Sequence, residues 1–168
     1  MRGLRLRVVL AAGFLVGGCA TATPVIEQTT RGPIAQEIQV ARSFAANGRD
    51  LGWDEKRHYE EDLEERVFKY LREHPELENE PRYSTFRFWR QVSIGSTKEE
   101  VKVLLNDPDE RTIDPALMAS LAARHWSQVQ TKAKEAWVYP LGWVLYVDDK
   151  AVVSMIRTRS RFDKDDDQ

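Results

Sequence analysis

Apolar positions return at helical spacing through the first half of the chain and gather into short extended runs near its end. From Gly32-Pro33, the residues Ile34, Ile38, Ala41 and Ala45 recur on one face until Asn47-Gly48. This predicts a short helix with Pro33 at its first position and glycine past its end. Tyr59, Leu63, Val67, Tyr70 and Leu71 form a longer stripe, with Asp54 as N-cap and Pro75 forcing a stop at His74. On its solvated side Asp62 precedes Arg66 and Glu65 precedes Lys69 by one turn, a spacing that supports a helix by about 0.2–0.5 kcal/mol per pair. After a polar turn over residues 76–80, Tyr83, Phe86 and Trp89 would face one way at helical spacing.

The second half is more regular. Val92-Ser93-Ile94 reads as a short extended entry, Gly95 as a turn, and Ser96 with Glu99 or Thr97 with Glu100 as a capping box. Val101, Leu104 and Leu105 then give one buried face, and Asn106-Asp107-Pro108 ends the helix. Asp114-Pro115 opens another helix, expected to reach about Thr131 with Leu117, Met118, Leu121, Ala122 and Val129 along its apolar side. Residues 136–140, 143–147 and 151–158 are rich in Trp, Val, Tyr and Ile and read as strands, joined by Leu141-Gly142 and by Asp148-Asp149-Lys150. The expected fold class is α+β: helices packed on one face of a three-stranded antiparallel sheet (residues 92–158), preceded by an N-terminal helical region (34–91).

The chain's beginning has a different grammar. Arg2, Arg5 and Arg7 precede an apolar run from Val8 to Val16, and Gly17 and Gly18 stand directly before Cys19. The run is too short for the 17 or so residues that span a bilayer. Val16-Gly17-Gly18-Cys19 resembles a bacterial lipobox, which implies a signal peptide over 1–18, acylation of Cys19 (palmitate-type chains) and anchoring in the bilayer without crossing it. Ala20, where aspartate commonly retains such proteins at the inner membrane, favours the outer membrane. Residues 19–33 would be the lipidated cysteine and a flexible tether, and 159–168 an acidic disordered tail.

Composition narrows the function classes. The 168 residues suit one domain, and a mean hydropathy of −0.54 with 31% charged residues argues against a polytopic membrane protein. Without the three leading arginines, 22 basic residues face 27 acidic ones, so nucleic acid is not an expected partner. Cys19 is the lone cysteine and cannot form an intramolecular disulfide. His58, His74 and His125 show no metal-ligand spacing, and the carboxylates of residues 54–65 fall mostly on a solvated helix face. No metal, cofactor or catalytic residue is expected.

The ordered string Ile94-Gly95-Ser96-Thr97, Val101, Leu104-Leu105, Pro108, Trp137-Val138-Tyr139 and the hairpin from Leu145 to Val153 resembles the SmpA/OmlA family over residues 92–157. That family includes the smallest lipoprotein of the outer-membrane β-barrel assembly machinery. The resemblance implies a lipid-anchored, periplasm-facing outer-membrane protein that acts by contact with an envelope protein, as an accessory in barrel assembly or envelope integrity. Its marked residues Ile94, Gly95, Thr97, Val101, Leu105, Pro108, Trp137 and Tyr139 also have structural roles: turn, cap, core and helix stop. Three differences stand out: Ser96 replaces a frequent Met, Asn106 replaces a common Gly, and an additional helix fits between Pro108 and Trp137. The contact surface would be the exposed sheet face or edge and the aromatic region of Tyr83, Phe86 and Trp89. Two alternatives stay open: a purely structural envelope lipoprotein, and a small module binding a phospholipid headgroup, peptidoglycan or a hydrophobic molecule. A concave pocket lined by Trp137, Trp143 and Trp89 would favour the latter.

Overall fold

The computed structural model describes residues 24–159; the lipobox-like motif Val16, Gly17, Gly18 and Cys19 lies outside them. Five strands, β1 (Val25–Thr29), β4 (Glu110–Thr112), β5 (Glu135–Tyr139), β6 (Trp143–Val147) and β7 (Val152–Arg159), form one antiparallel sheet in the order β1-β7-β6-β5-β4. β2 (Arg31–Ile34) and β3 (Gln91–Ser93) pair separately. The helices are α1 (Ala35–Asn47), α2 (Trp53–Glu73), α3 (Tyr83–Arg87), α4 (Lys98–Leu105), α5 (Pro115–Ala122) and α6 (Trp126–Val129), with short 3-10 turns at Pro75–Asn79 and Ala123–His125.

This overturns the expected three-stranded sheet covered on one face. β5, β6 and β7 are the three central strands, but β1 adds to β7 with Val25 opposite Arg159, and β4 adds to β5 with Arg111 opposite Trp137. Both faces are covered. Ile38, Leu63, Val67, Tyr70, Val101, Leu104 and Leu105 from α1, α2 and α4 pack on Trp137, Tyr139, Trp143, Leu145 and Met155. Met118, Ala122 and Val129 from α5 and α6 pack on Ala136, Val144, Tyr146 and Ile156 on the opposite face. Alternation along each strand, reinforced by register, sends its residues to two separate apolar layers, so β6 is buried along its whole length. The helical region and the later α+β segment therefore share one core.

Three local expectations also change. The stretch read as tether contributes both β1 and β2, because its pairing partners, β7 and β3, lie far along the chain. Pro33 accordingly sits in β2, and Ile34 precedes α1. The helix expected to run from Pro115 to about Thr131 breaks at Ala123, whose φ is +48°.

The N-cap of α2 is Gly52, not the expected Asp54, whereas α4 follows its local chemistry. Thr97 Oγ1 accepts from the Glu100 amide at 3.1 Å while the Glu100 carboxylate accepts from the Thr97 amide at 3.2 Å, closing a capping box on α4. At the other end of α4, two arginines from neighbouring helices satisfy carbonyls that the helix leaves open. Arg42 of α1 donates to the Leu105 carbonyl at 2.5 Å and Arg66 of α2 to the Val103 carbonyl at 2.6 Å. Arg66 also holds Asp62 at 3.0 Å, the pair expected from their spacing. Leu141 and Gly142, with φ of +59° and +73°, form the left-handed turn that joins β5 to β6.

Candidate functional site

A groove of about 670 Å³ opens where β1, β2 and β3 meet the ends of β6 and β7. Residue pairing explains what lines it. Trp143, the first residue of β6, lies opposite Arg157 of β7, and Arg157 lies opposite Glu27 of β1, so all three project to one face of the sheet. The Arg157 guanidinium stacks over the Trp143 ring at 5.0 Å from its centroid, a cation-π geometry. Arg31 of β2 and Glu37 of α1 also reach the lining, and Trp89, 68% exposed, forms part of the wall.

The groove's hydrogen-bonding balance is uneven. The Trp143 indole N–H is buried with no acceptor, the residue being only 4% exposed, and the Arg157 Nε–H is buried and likewise unmet. Neither Arg157 nor Arg31 has a carboxylate partner among the described residues. Arg159 faces Glu27 at 4.0 Å. Buried donors of this kind are rare because each costs about 1–3 kcal/mol.

A second hollow, of about 360 Å³, lies between the end of α2 and the start of α4. Its charges are already matched. The Arg82 guanidinium meets the Glu100 carboxylate with two contacts of 3.2 Å and Glu80 at 3.1 Å, and Tyr70 Oη lies 3.3 Å from Thr97 Oγ1. Glu135 is similarly enclosed, accepting from Lys98 at 2.5 Å, Arg111 at 2.7 Å and the Trp137 indole at 2.8 Å. Burial alone would raise the Glu135 pKa, but these donors outweigh it and hold the carboxyl down at about 2. Both carboxylates are thus tied by ion pairs to neighbouring elements, Glu100 to Arg82 and Glu135 to Lys98 and Arg111.

The residues singled out from sequence separate into different places. Gly95, with φ of +86°, turns the chain and donates its N–H to the Val152 carbonyl at 2.8 Å. Val101 and Leu105 are core, Pro108 follows the end of α4, and Ile94 is partly exposed. Trp137 and Tyr139 are buried, Trp137 tied to Glu135 and Tyr139 donating from its hydroxyl to the Asn106 carbonyl at 3.0 Å. Trp137 thus does not line the groove; Trp143 and Trp89 do.

The aromatic stripe expected from Tyr83, Phe86 and Trp89 is also corrected. Phe86 is buried with its ring 5.5 Å from that of Tyr70, Tyr83 is half-buried, and Trp89 lies beyond the end of α3. The helix lasts five residues and Arg90, with φ of +49°, then redirects the chain, so helical spacing does not extend to Trp89. Sequence reasoning missed Arg31 and Arg157. An isolated arginine carries no motif, and only the β6–β7 register brings Arg157 onto Trp143.

Fold and site together define an α+β protein with a donor-rich, arginine and tryptophan groove at one edge of its sheet. No protein-family model, curated protein or solved structure matches the chain. No helix among the described residues is long and apolar enough to cross a membrane.

Proposed function

We propose that the chain is a lipid-anchored outer-membrane protein that faces the periplasm and acts by contact with an envelope protein. The observation that carries this reading is the run of Arg2, Arg5 and Arg7, the apolar stretch to Val16, and Gly17-Gly18 directly before the single cysteine, Cys19. Resemblance of residues 92–157 to the SmpA/OmlA family extends it to an accessory role in barrel assembly or envelope integrity. Phe88 and Trp89, adjacent and about two-thirds exposed, supply large apolar side chains for such a contact.

The test is affinity capture of the tagged protein from detergent-solubilised envelopes, with the Cys19→Ser form as the unanchored control. Stoichiometric recovery of barrel-assembly components with the lipidated form is the expected result. Recovery of none overturns the accessory role.

A second reading, a ligand-binding module, is favoured by one specific observation: the groove is open and bounded by Trp143 and Trp89. A groove lined by arginine and tryptophan side chains suits a small ligand better than a flat protein surface does. The two readings differ in what must be bound for function, and the same anchor serves either.

A further inference from the structure

We propose that the groove beside Trp143 is an oxyanion site: it takes a ligand carrying a phosphate or carboxylate group on an apolar or ring-bearing body. The inference rests on the ligand-binding reading above and names the chemistry that reading leaves open.

Three features determine the class. First, two residues of the lining, Trp143 and Arg157, carry donors that no acceptor meets. The Trp143 indole N–H and Arg157 Nε–H are both buried without partners, and both groups can only donate. A ligand that matches them must be rich in acceptors, and an oxyanion presents acceptors alone. Second, the charges are unequal and partly uncommitted. Arg31, Arg157 and Arg159 line the groove against Glu27 and Glu37, with Glu27 facing Arg159 at 4.0 Å. Arg31 and Arg157 remain without a carboxylate partner among the described residues, and a guanidinium fork suits the paired oxygens of phosphate or carboxylate. Glu37, and Glu27 opposite Arg157, work against an anion, so the three arginines must outweigh them.

Third, the rest of the lining suits a body attached to that charge. Ile34 and the exposed Trp89 give apolar and aromatic surface, and the Thr30 and Thr85 hydroxyls can pair with neutral polar groups. A bare inorganic ion uses only the donor side. The Trp143 ring under Arg157 holds the guanidinium in place before binding, so less side-chain entropy is lost when an anion arrives.

The experiment uses the full lipidated chain in nonionic detergent at constant ionic strength. Tryptophan emission and thermal midpoint are followed with three probes: inorganic phosphate, mixed micelles carrying dioleoyl phosphatidate, and mixed micelles carrying dioleoylglycerol as the phosphate-free control. The expected result is saturable binding of phosphate or phosphatidate that weakens by at least about tenfold in Arg157→Gln and Arg31→Gln. Without ligand, Arg157→Gln removes both a buried unmet donor and the stack on Trp143, so its thermal midpoint should stay close to the parent's. Arg31 is the exposed residue of β2, so Arg31→Gln keeps the test intact if the other variant folds poorly.

The arms separate the sources. Equal affinity for inorganic phosphate and phosphatidate means a free anion suffices, whereas response to phosphatidate alone means a lipid-borne phosphate; both support the oxyanion site. Binding of dioleoylglycerol as tightly as phosphatidate, unaltered in the arginine variants, overturns the oxyanion chemistry while leaving a ligand-binding groove. No saturable response to any probe overturns the oxyanion site.

Discussion

Replacing Glu135 by Gln tests whether the buried carboxylate between α4 and β5 stabilises the fold through its charge. Its carboxyl is held near 2 instead of its ordinary 4.5, because Lys98, Arg111 and the Trp137 indole all donate to it. That difference corresponds to about 3 kcal/mol of stability at neutral pH. Because the folded pKa is depressed, the contribution is complete above about 4.5 and is lost as pH falls toward 2. Lys98 and Arg111 are partly exposed, so water can solvate them once the charge is gone, keeping the loss near the low end for a broken buried pair. For a chain of this size, about 3 kcal/mol lowers the thermal midpoint by roughly 6–12 °C. The assay is thermal unfolding of parent and Glu135→Gln at steps from pH 7 to pH 2, followed by circular dichroism. The gap between the two should be full at pH 7, shrink below about pH 4.5 and vanish near pH 2. A gap that stays constant across that range would refute an ionic origin and assign the loss to changed packing.

Other substitutions probe separate parts of the molecule. Arg82→Gln leaves Glu100, 1% exposed, without its cation and should cost about 3–5 kcal/mol in urea unfolding; a cost below about 1 kcal/mol would mean the Thr97 amide alone suffices. Gly142→Ala places a Cβ 2.4 Å from the Thr158 carbonyl oxygen at a φ of +73° and should destabilise by about 2–5 kcal/mol, with unchanged stability refuting the turn geometry. The aromatic region should divide: Phe86→Ala costs about 3–5 kcal/mol, whereas Trp89→Ser changes stability by less than about 0.5 kcal/mol, since Trp89 is 68% exposed. Equal effects at the two positions would contradict their separation.

What was legible in the sequence was whatever local chemistry dictates. α2 follows its apolar stripe and ends where Pro75 requires, α4 carries its own capping box, and β5 to β7 are dense in strand-forming residues joined by recognisable turns. What was not legible depends on a distant partner. Val25–Thr29 has a glutamate and a glutamine among its five residues and follows a Thr- and Pro-rich stretch, and it becomes a strand by pairing with β7 across more than a hundred residues. β4 is three residues, two of them charged, which is common at a sheet edge but gives no alternation to read. The break at Ala123 has neither glycine nor proline to announce it. The groove was half legible: Trp143 and Trp89 were named from the sequence, but Trp137 belongs to Glu135, and the arginines needed the strand register.

The β1–β7 pairing also bears on how an anchored molecule would stand. Val25 opposite Arg159 brings the start and end of the described chain to the same side of the sheet edge, and Glu27, Arg157 and Arg159 beside them line the groove. Reading residues 19–33 as tether allows a reach of about 50 Å from the acylated cysteine, enough to leave the orientation free. Ordered strand from Val25 cuts the link from Cys19 to six residues, at most about 21 Å when fully extended. With Cys19 lipidated as proposed, the edge that carries the groove is therefore tied close to the headgroup layer, while the opposite edge at β4 is held farther from the attachment point. A lipid-borne phosphate would meet the groove at high local concentration, and a soluble anion would gain nothing from the short link. Position thus weighs toward the membrane as the source of the oxyanion, a preference independent of the donor chemistry that selects the oxyanion in the first place.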